Sequence, residues 1–159
     1  MARPKWLSKR EQRAWRAFIL LERRLNGRVA RDLQRESGLS GADYEVLVNL
    51  SEAPTGRLRA FELGRATQWE KSRLSHHITR MVDRGLVARE SCESDNRGAF
   101  VVLTATGRRA IETAAPVHVE HVRRWFIDSL TPAQLDALVE ISEAVVAKLD
   151  DDPESCPPS

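Results

Sequence analysis

The chain has 159 residues, 42% of them hydrophobic and 30% charged, with a formal net charge of +2. That length suits one domain, or one small domain with an oligomerisation element, and no stretch approaches the ~20 apolar residues of a membrane span. Charge interrupts residues 6–16, so a signal peptide is not expected; the two cysteines, Cys92 and Cys156, make neither a disulfide framework nor a zinc site and read as incidental thiols of a reducing cytoplasm.

The small net charge hides an asymmetry. Residues 3–35 are rich in Arg and Lys, opposed only by Glu11, Glu22 and Asp32, whereas 128–154 are acidic with Lys148 as the lone base. Opposite charge on the two ends suits their packing together, within or between chains. A basic excess suits an anionic partner, although solvated helix faces commonly look the same.

Ser8 followed by Glu11 is a capping box and opens the first helix, with Trp15, Phe18, Ile19, Leu25 and Val29 at helical spacing and Gly38 as its stop. Ser40 with Asp43 opens a second helix carrying Tyr44, Leu47, Val48 and Leu50, and Ala53-Pro54-Thr55-Gly56 ends it. Residues 57–59 can form a short strand, followed by a short helix near 61–66. Thr67 with Glu70 reads as another capping box, starting a helix over 67–84 that Gly85 stops. Two short helices across so tight a turn suggest a helix-turn-helix. Residues 86–90 and 100–103 read as two strands around a polar hairpin tip at 91–98, the wing of a winged helix. Thr104 caps the next helix, with Ile111, Ala114, Ala115, Val122 and Trp125 on one stripe; Pro116 predicts a kink or local break in it. Thr131-Pro132-Ala133-Gln134 starts the last helix, which runs to Leu149 and bears Leu135, Leu138, Val139, Val145 and Val146. The tail from 151 to 159 is expected to be disordered.

The helix over 67–84 carries the chemistry. Leu74, Ile78, Met81 and Val82 point inward; Lys71, Ser72, Ser75, His76, Thr79 and Arg80 fall on the opposite side. That outer face holds hydrogen-bond donors of short and long reach and no carboxylate, which is what major-groove readout with flanking phosphate contacts requires. At the hairpin tip, Arg97 is placed to reach phosphate or a narrow minor groove. Asp95, two residues away, reads as a brace that orients it by an ion pair, or as plain turn chemistry.

In their order and spacing, Gly56-Arg57-Leu58-Arg59, Trp69-Glu70-Lys71-Ser72-Arg73-Leu74-Ser75, Asp83-Arg84-Gly85-Leu86-Val87, Asp95-Asn96-Arg97-Gly98 and Leu103-Thr104-Ala105-Thr106-Gly107 resemble the MarR family of multiple antibiotic resistance regulators. The resemblance implies an α+β, mostly helical protein. Its winged helix-turn-helix domain (40–104) would sit between N- and C-terminal dimerisation helices (8–37 and 105–150), interlocked between two chains. It further implies a cytoplasmic homodimer that binds a palindromic site on double-stranded DNA, usually as a repressor released by a small-molecule effector. By resemblance Lys71, Ser72, Ser75, His76 and Arg80 would face the major groove, Arg73 completing the DNA-binding set of this helix, with Asp95 and Arg97 as the wing pair. Two departures are visible: Phe61 stands where relatives often place a Ser cap, and Gly64 replaces a usual Ala, which loosens the short helix by up to about 1 kcal/mol. The first helix lacks the cysteine through which a subset of the family senses peroxides.

His118 and His121 lie i, i+3 near Trp125. Packed histidines at a helix interface are the preferred reading; a small-molecule pocket with Trp15 and Trp125 is the alternative. No third ligand for a metal is evident, so no metal or other cofactor is expected. An enzyme is not expected either: the chain has no Gly-rich phosphate loop, no HExxH and no Gly-x-Ser-x-Gly elbow. The rival functions are a winged-helix protein-interaction module and a small-molecule-binding protein without DNA binding.

Overall fold

A computed structural model describes residues 4–90 and 99–151. The elements run α1 (Lys9–Ser37), α2 (Gly41–Glu52), β1 (Arg57–Arg59), α3 (Ala60–Thr67), α4 (Lys71–Asp83), β2 (Val87–Glu90), β3 (Phe100–Leu103), α5 (Ala105–Trp125), a 3₁₀ turn (Ile127–Ser129) and α6 (Pro132–Asp150). None of the described helices is long and apolar enough to cross a membrane. The wing tip at 91–98 and the tail beyond 151 lie outside the described residues, and with them the expectations for Asp95, Arg97, Cys92, Cys156 and a disordered tail.

Local capping sets most boundaries. The hydroxyls of Ser8, Ser40, Thr104 and Thr131 accept from the backbone N–H three residues on, and Glu11, Asp43 and Gln134 return the bond to the N-cap N–H of their helices. Helix α4 ends through Gly85, whose φ of 69° lets Leu86 N–H reach the Met81 carbonyl at 3.0 Å.

Three expectations are corrected. Thr67 does not cap the helix that follows. It is the last residue of α3, and its hydroxyl donates to the Leu63 carbonyl at 2.9 Å. Gln68 then takes a left-handed conformation, φ 55°, and α4 begins only at Lys71 behind the N-cap Glu70. Pro116 breaks nothing: α5 is one helix of 21 residues through it. Its exposed position and the packing of α5 along α1 and α2 hold the helix despite the missing N–H. Phe61 is not at the cap of α3, which belongs to Arg59; Glu62 accepts from the Arg59 N–H at 2.7 Å.

The sheet is antiparallel in the order β1-β3-β2, with Arg57 opposite Val102 and Glu90 opposite Phe100. It closes one side of a core made by α2, α3, α4 and the start of α5. Val46, Leu47 and Leu50 of α2 meet Leu63 of α3, Ile78 and Met81 of α4 and Val87 of β2, all essentially without solvent contact. Each such side chain contributes about 1.5–3 kcal/mol. Helix α5 joins this unit at a close approach: Gly107 lies against Leu86 so tightly that a Cβ there would collide with the Leu86 carbonyl oxygen.

The end helices behave differently. Helix α6 has no buried residue, and Val139, Ile141, Val145, Val146 and Leu149 stand exposed along it. Near the start of α1, Trp15, Phe18, Leu20 and Leu21 are exposed as well.

Candidate nucleic-acid interface

The α3–α4 turn is built by backbone bonds. Trp69 N–H reaches the Gly64 carbonyl at 3.1 Å, and Leu74 N–H reaches Glu70 O at 2.9 Å. Trp69 is buried beneath α4, with its ring edge-on to His77 (centroids 5.3 Å, planes at 87°) and the Arg73 guanidinium 4.3 Å from its ring centre. The ring thus packs the turn against α4.

Helix α4 divides sharply. Leu74, His77, Ile78 and Met81 are buried; Lys71, Ser72, Arg73, Ser75, His76, Thr79 and Arg80 are exposed. The sequence-predicted reading residues thus share one solvent face; no carboxylate lies among them, although Asp83, the last residue of α4, is exposed on the same side. They are not equally free. The Thr79 hydroxyl donates to the Ser75 carbonyl at 3.0 Å and accepts from Arg89 at 3.0 Å; Arg89 also donates to the Ser75 carbonyl at 3.0 Å. Arg89 of β2, which sequence reasoning missed, thereby ties the wing to α4. Arg80 is held by His77, its Nη2 lying 2.9 Å from Nδ1.

Behind this face sits a second group that sequence reasoning missed. Asp43 Oδ2 accepts from Arg84 at 2.7 Å and from the Ser40 N–H at 2.9 Å, and Asp43 Oδ1 lies 3.1 Å from His77 Nε2. Burial alone would raise the Asp43 carboxyl; the bonds from Arg84 and Ser40 outweigh it and hold the carboxyl below its ordinary value. Burial likewise pushes the His77 imidazolium down, against the pull of Asp43 upward, and Arg80 adds to the downward push. The only sequence signal was Asp43 as a capping residue; its partners come from α4, far along the chain.

The histidine stripe of α5 packs inward. His118 stacks on Tyr44 with ring centres 4.3 Å apart, His121 Nε2 lies 3.3 Å from Glu36 Oε1, and Trp125 Nε1 donates to the buried Asp32 at 3.0 Å. Burial, helped by the neighbouring His121, lowers the His118 pKa. These contacts are those of packed histidines at a helix interface. Trp15 is not part of the group within one chain: it precedes Asp32 by 17 positions of α1, about 26 Å along the axis. Among the described residues no three His, Cys, Asp or Glu side chains stand together as metal ligands.

A helix-turn-helix followed by a two-stranded wing that pairs with a strand preceding it, with long helices before and after, is a winged-helix architecture. A MarR family sequence model matches residues 37–98. The crystal structure of AbsC, a MarR family transcriptional regulator from Streptomyces coelicolor, is 46% identical and superposes with a TM-score of 0.88, covering 94% of this chain and 100% of AbsC. Sco3205, a MarR family transcriptional regulator from the same organism solved in complex with DNA, is 39% identical with a TM-score of 0.89, covering 98% of this chain and 97% of Sco3205. Transcriptional regulator HosA of Escherichia coli O111:H- is 30% identical over 126 residues, 79% of this chain and 91% of HosA. The chain belongs to the MarR family of transcriptional regulators, and it is a regulator, not an enzyme.

Proposed function

We propose that this regulator binds double-stranded DNA as a homodimer, each copy placing α4 in the major groove of one half of a palindromic site. The observation that carries the reading is the solvent face of α4 between Lys71 and Arg80, seven residues with three cationic side chains and no carboxylate, the exposed Asp83 standing only at the last position of the helix, backed by a buried face that fixes its orientation. Lys71, Ser72, Ser75 and His76 lie at the N-terminal half, where side chains reach base edges; Arg73 and Arg80 reach phosphates. Asp95 and Arg97 serve as the wing pair. The DNA complex of Sco3205 supports the reading by likeness.

The residues over 40–104 form the reading unit, and the helices over 8–37 and 105–150 form the dimer. The support for a dimer is the apolar surface left on α6 and on the first half of α1, more than an isolated soluble chain usually leaves uncovered. The basic α1 and the acidic α6 complement one another across such an interface. The protein acts in the cytoplasm, as a repressor released by a small effector. The effector part is favoured by the Nδ1 atoms of His118 and His121, both buried between α1, α2 and α5 without a hydrogen-bond partner among the described residues.

Duplexes enriched from a random library by the purified protein, set against scrambled controls in fluorescence anisotropy across a salt series, test the reading. Selective binding that weakens as salt rises, at two chains per duplex, supports it. Equal weak binding to every duplex, or none at low salt, rejects it in favour of a protein-interaction module.

A further inference from the structure

Of the polar side chains on α4, His77 is the one turned fully inward, where it touches three other groups. It is buried, edge-on to Trp69, with Nε2 facing the Asp43 carboxylate and Nδ1 accepting from Arg80. Asp43 is itself fixed by Ser40 and Arg84. The Arg80 contact selects one form of the ring: a bare Nδ1 toward the guanidinium, which leaves the ring proton on Nε2, 3.1 Å from an Asp43 oxygen though without a hydrogen bond to it. A guanidinium has only donors, so it can share a hydrogen bond with the ring only while the ring is neutral.

We propose that His77 is a positioning residue for DNA binding, its neutral Nδ1 holding the Arg80 guanidinium at the phosphate-facing edge of α4. This rests on the DNA-binding reading above. Free arginine side chains lose rotamer freedom on meeting a phosphate; one already held loses less. Protonation of His77 puts a hydrogen on Nδ1, ends the bond and sets two like charges side by side. The charged groups facing the ring are Asp43 from α2 and Arg80 and Arg73 from α4, with Arg84 sharing the Asp43 carboxylate. Burial, the largest influence, keeps the ring neutral at neutral pH.

The consequence has a distinctive sign. Protonating a histidine near DNA ordinarily raises affinity by adding positive charge. Here protonation releases Arg80, so affinity falls. His77→Gln offers the reference: its amide can donate toward Asp43 and accept from Arg80 at every pH.

The experiment has two parts. In the free protein, nitrogen-15 NMR follows the His77 ring and the Arg80 guanidinium against pH; the Arg80 signal is expected to move with the His77 midpoint. Affinity for a library-selected duplex is then compared between wild type and His77→Gln above and below that midpoint, with circular dichroism checking the fold at each pH. The ratio of wild-type to variant affinity is expected to be near one above the midpoint and to fall about tenfold below it. Arg80→Gln gives a second measurement without touching the buried ring: the advantage of wild type over it shrinks below the midpoint. A ratio that stays flat or rises, or an Arg80 signal indifferent to His77, overturns the role. An intact His77–Arg80 pair in a protein that binds no duplex selectively overturns the DNA-binding reading, and the positioning role with it.

Discussion

Arg84, the C-cap residue of α4, donates to Asp43 Oδ2 at 2.7 Å and to the Gly38 carbonyl at 3.2 Å. One side chain thus joins the end of α4 to the start of α2 and to the end of α1. Asp43 serves both sides of this joint, since the same carboxylate closes the α2 capping box.

Replacing Asp43 separates these duties. Asp43→Asn keeps an oxygen for the Ser40 N–H and loses the charge facing Arg84, which is half-exposed, so a loss of about 1 kcal/mol is expected. Asp43→Ala removes the cap bond as well, for a total of roughly 2–3 kcal/mol. Urea unfolding of the two variants checks the order and the gap between them.

Acid should destabilise the fold in two stages. His77 and His118 have folded pKa values lowered from 6.5, mainly by burial, so the unfolded chain takes up their protons first. Stability is therefore full above about pH 6.5 and declines as pH falls below it. Asp43 is held below its usual 3.8, so its contribution is present above that value and is lost as pH falls further. Unfolding midpoints in urea at a series of pH values test the sign; a midpoint that rises between pH 7 and 5 contradicts it.

Two glycines should respond oppositely to alanine. At Gly64 a Cβ would make ordinary contact with Leu74 Cδ2 at 3.6 Å, so Gly64→Ala stabilises α3 by about 0.5–1 kcal/mol. At Gly107 the Leu86 carbonyl blocks the added methyl, and Gly107→Ala costs about 2–3 kcal/mol. Thermal melts of both variants decide.

The exposed stripe of α6 predicts the assembly state. Val145→Glu places a charge on the apolar surface of a helix that buries none of its residues within the chain. Light scattering after gel filtration is expected to show a dimer for wild type and a monomer for the variant, with helical content retained. A monomeric wild type refutes the dimer.

On the reading face, Ser75→Ala or His76→Ala should change which duplexes are preferred, whereas Arg80→Ala should weaken binding to all of them and reduce the salt slope by about one. Anisotropy against a panel of single-base variants of the selected site separates the two patterns. Unchanged affinity in all three, with the fold intact, removes α4 as the reader.

Much of this architecture is legible in the sequence because its signals are local. Ser8, Ser40, Thr104 and Thr131 each announce a helix within four residues, and the spacing of Leu74, Ile78 and Met81 gives the buried side of α4. The same local rule fails at Thr67, where a box-like spacing spans the end of one helix and the start of another; the left-handed Gln68 between them leaves no sign in residue spacing. Pro116 misleads for a related reason, since packing against neighbouring helices outweighs one lost hydrogen bond. Long-range partners were out of reach. Nothing near Asp43 points to His77 or Arg84, and nothing near Asp32 points to Trp125. Burial of His77 therefore went unread, although the alternation of faces along α4 could have signalled it.

Thr104 accepts from Gly107 N–H at 3.0 Å while donating to the Gly85 and Leu86 carbonyls at 2.7 and 3.0 Å, and Gly107 fills the remaining gap. The join between the winged-helix core and α5 therefore has no slack. In the proposed homodimer each α5 would be an arm of 21 residues, about 32 Å long, and the pair would work like callipers. A tilt of only about 5° carries the tip of such an arm by about 3 Å, close to the ~3.4 Å rise of one base pair. On the proposed dimeric reading, a shift at the far ends of these arms would change the spacing of the two α4 helices while the Thr104–Gly107 join stays as it is.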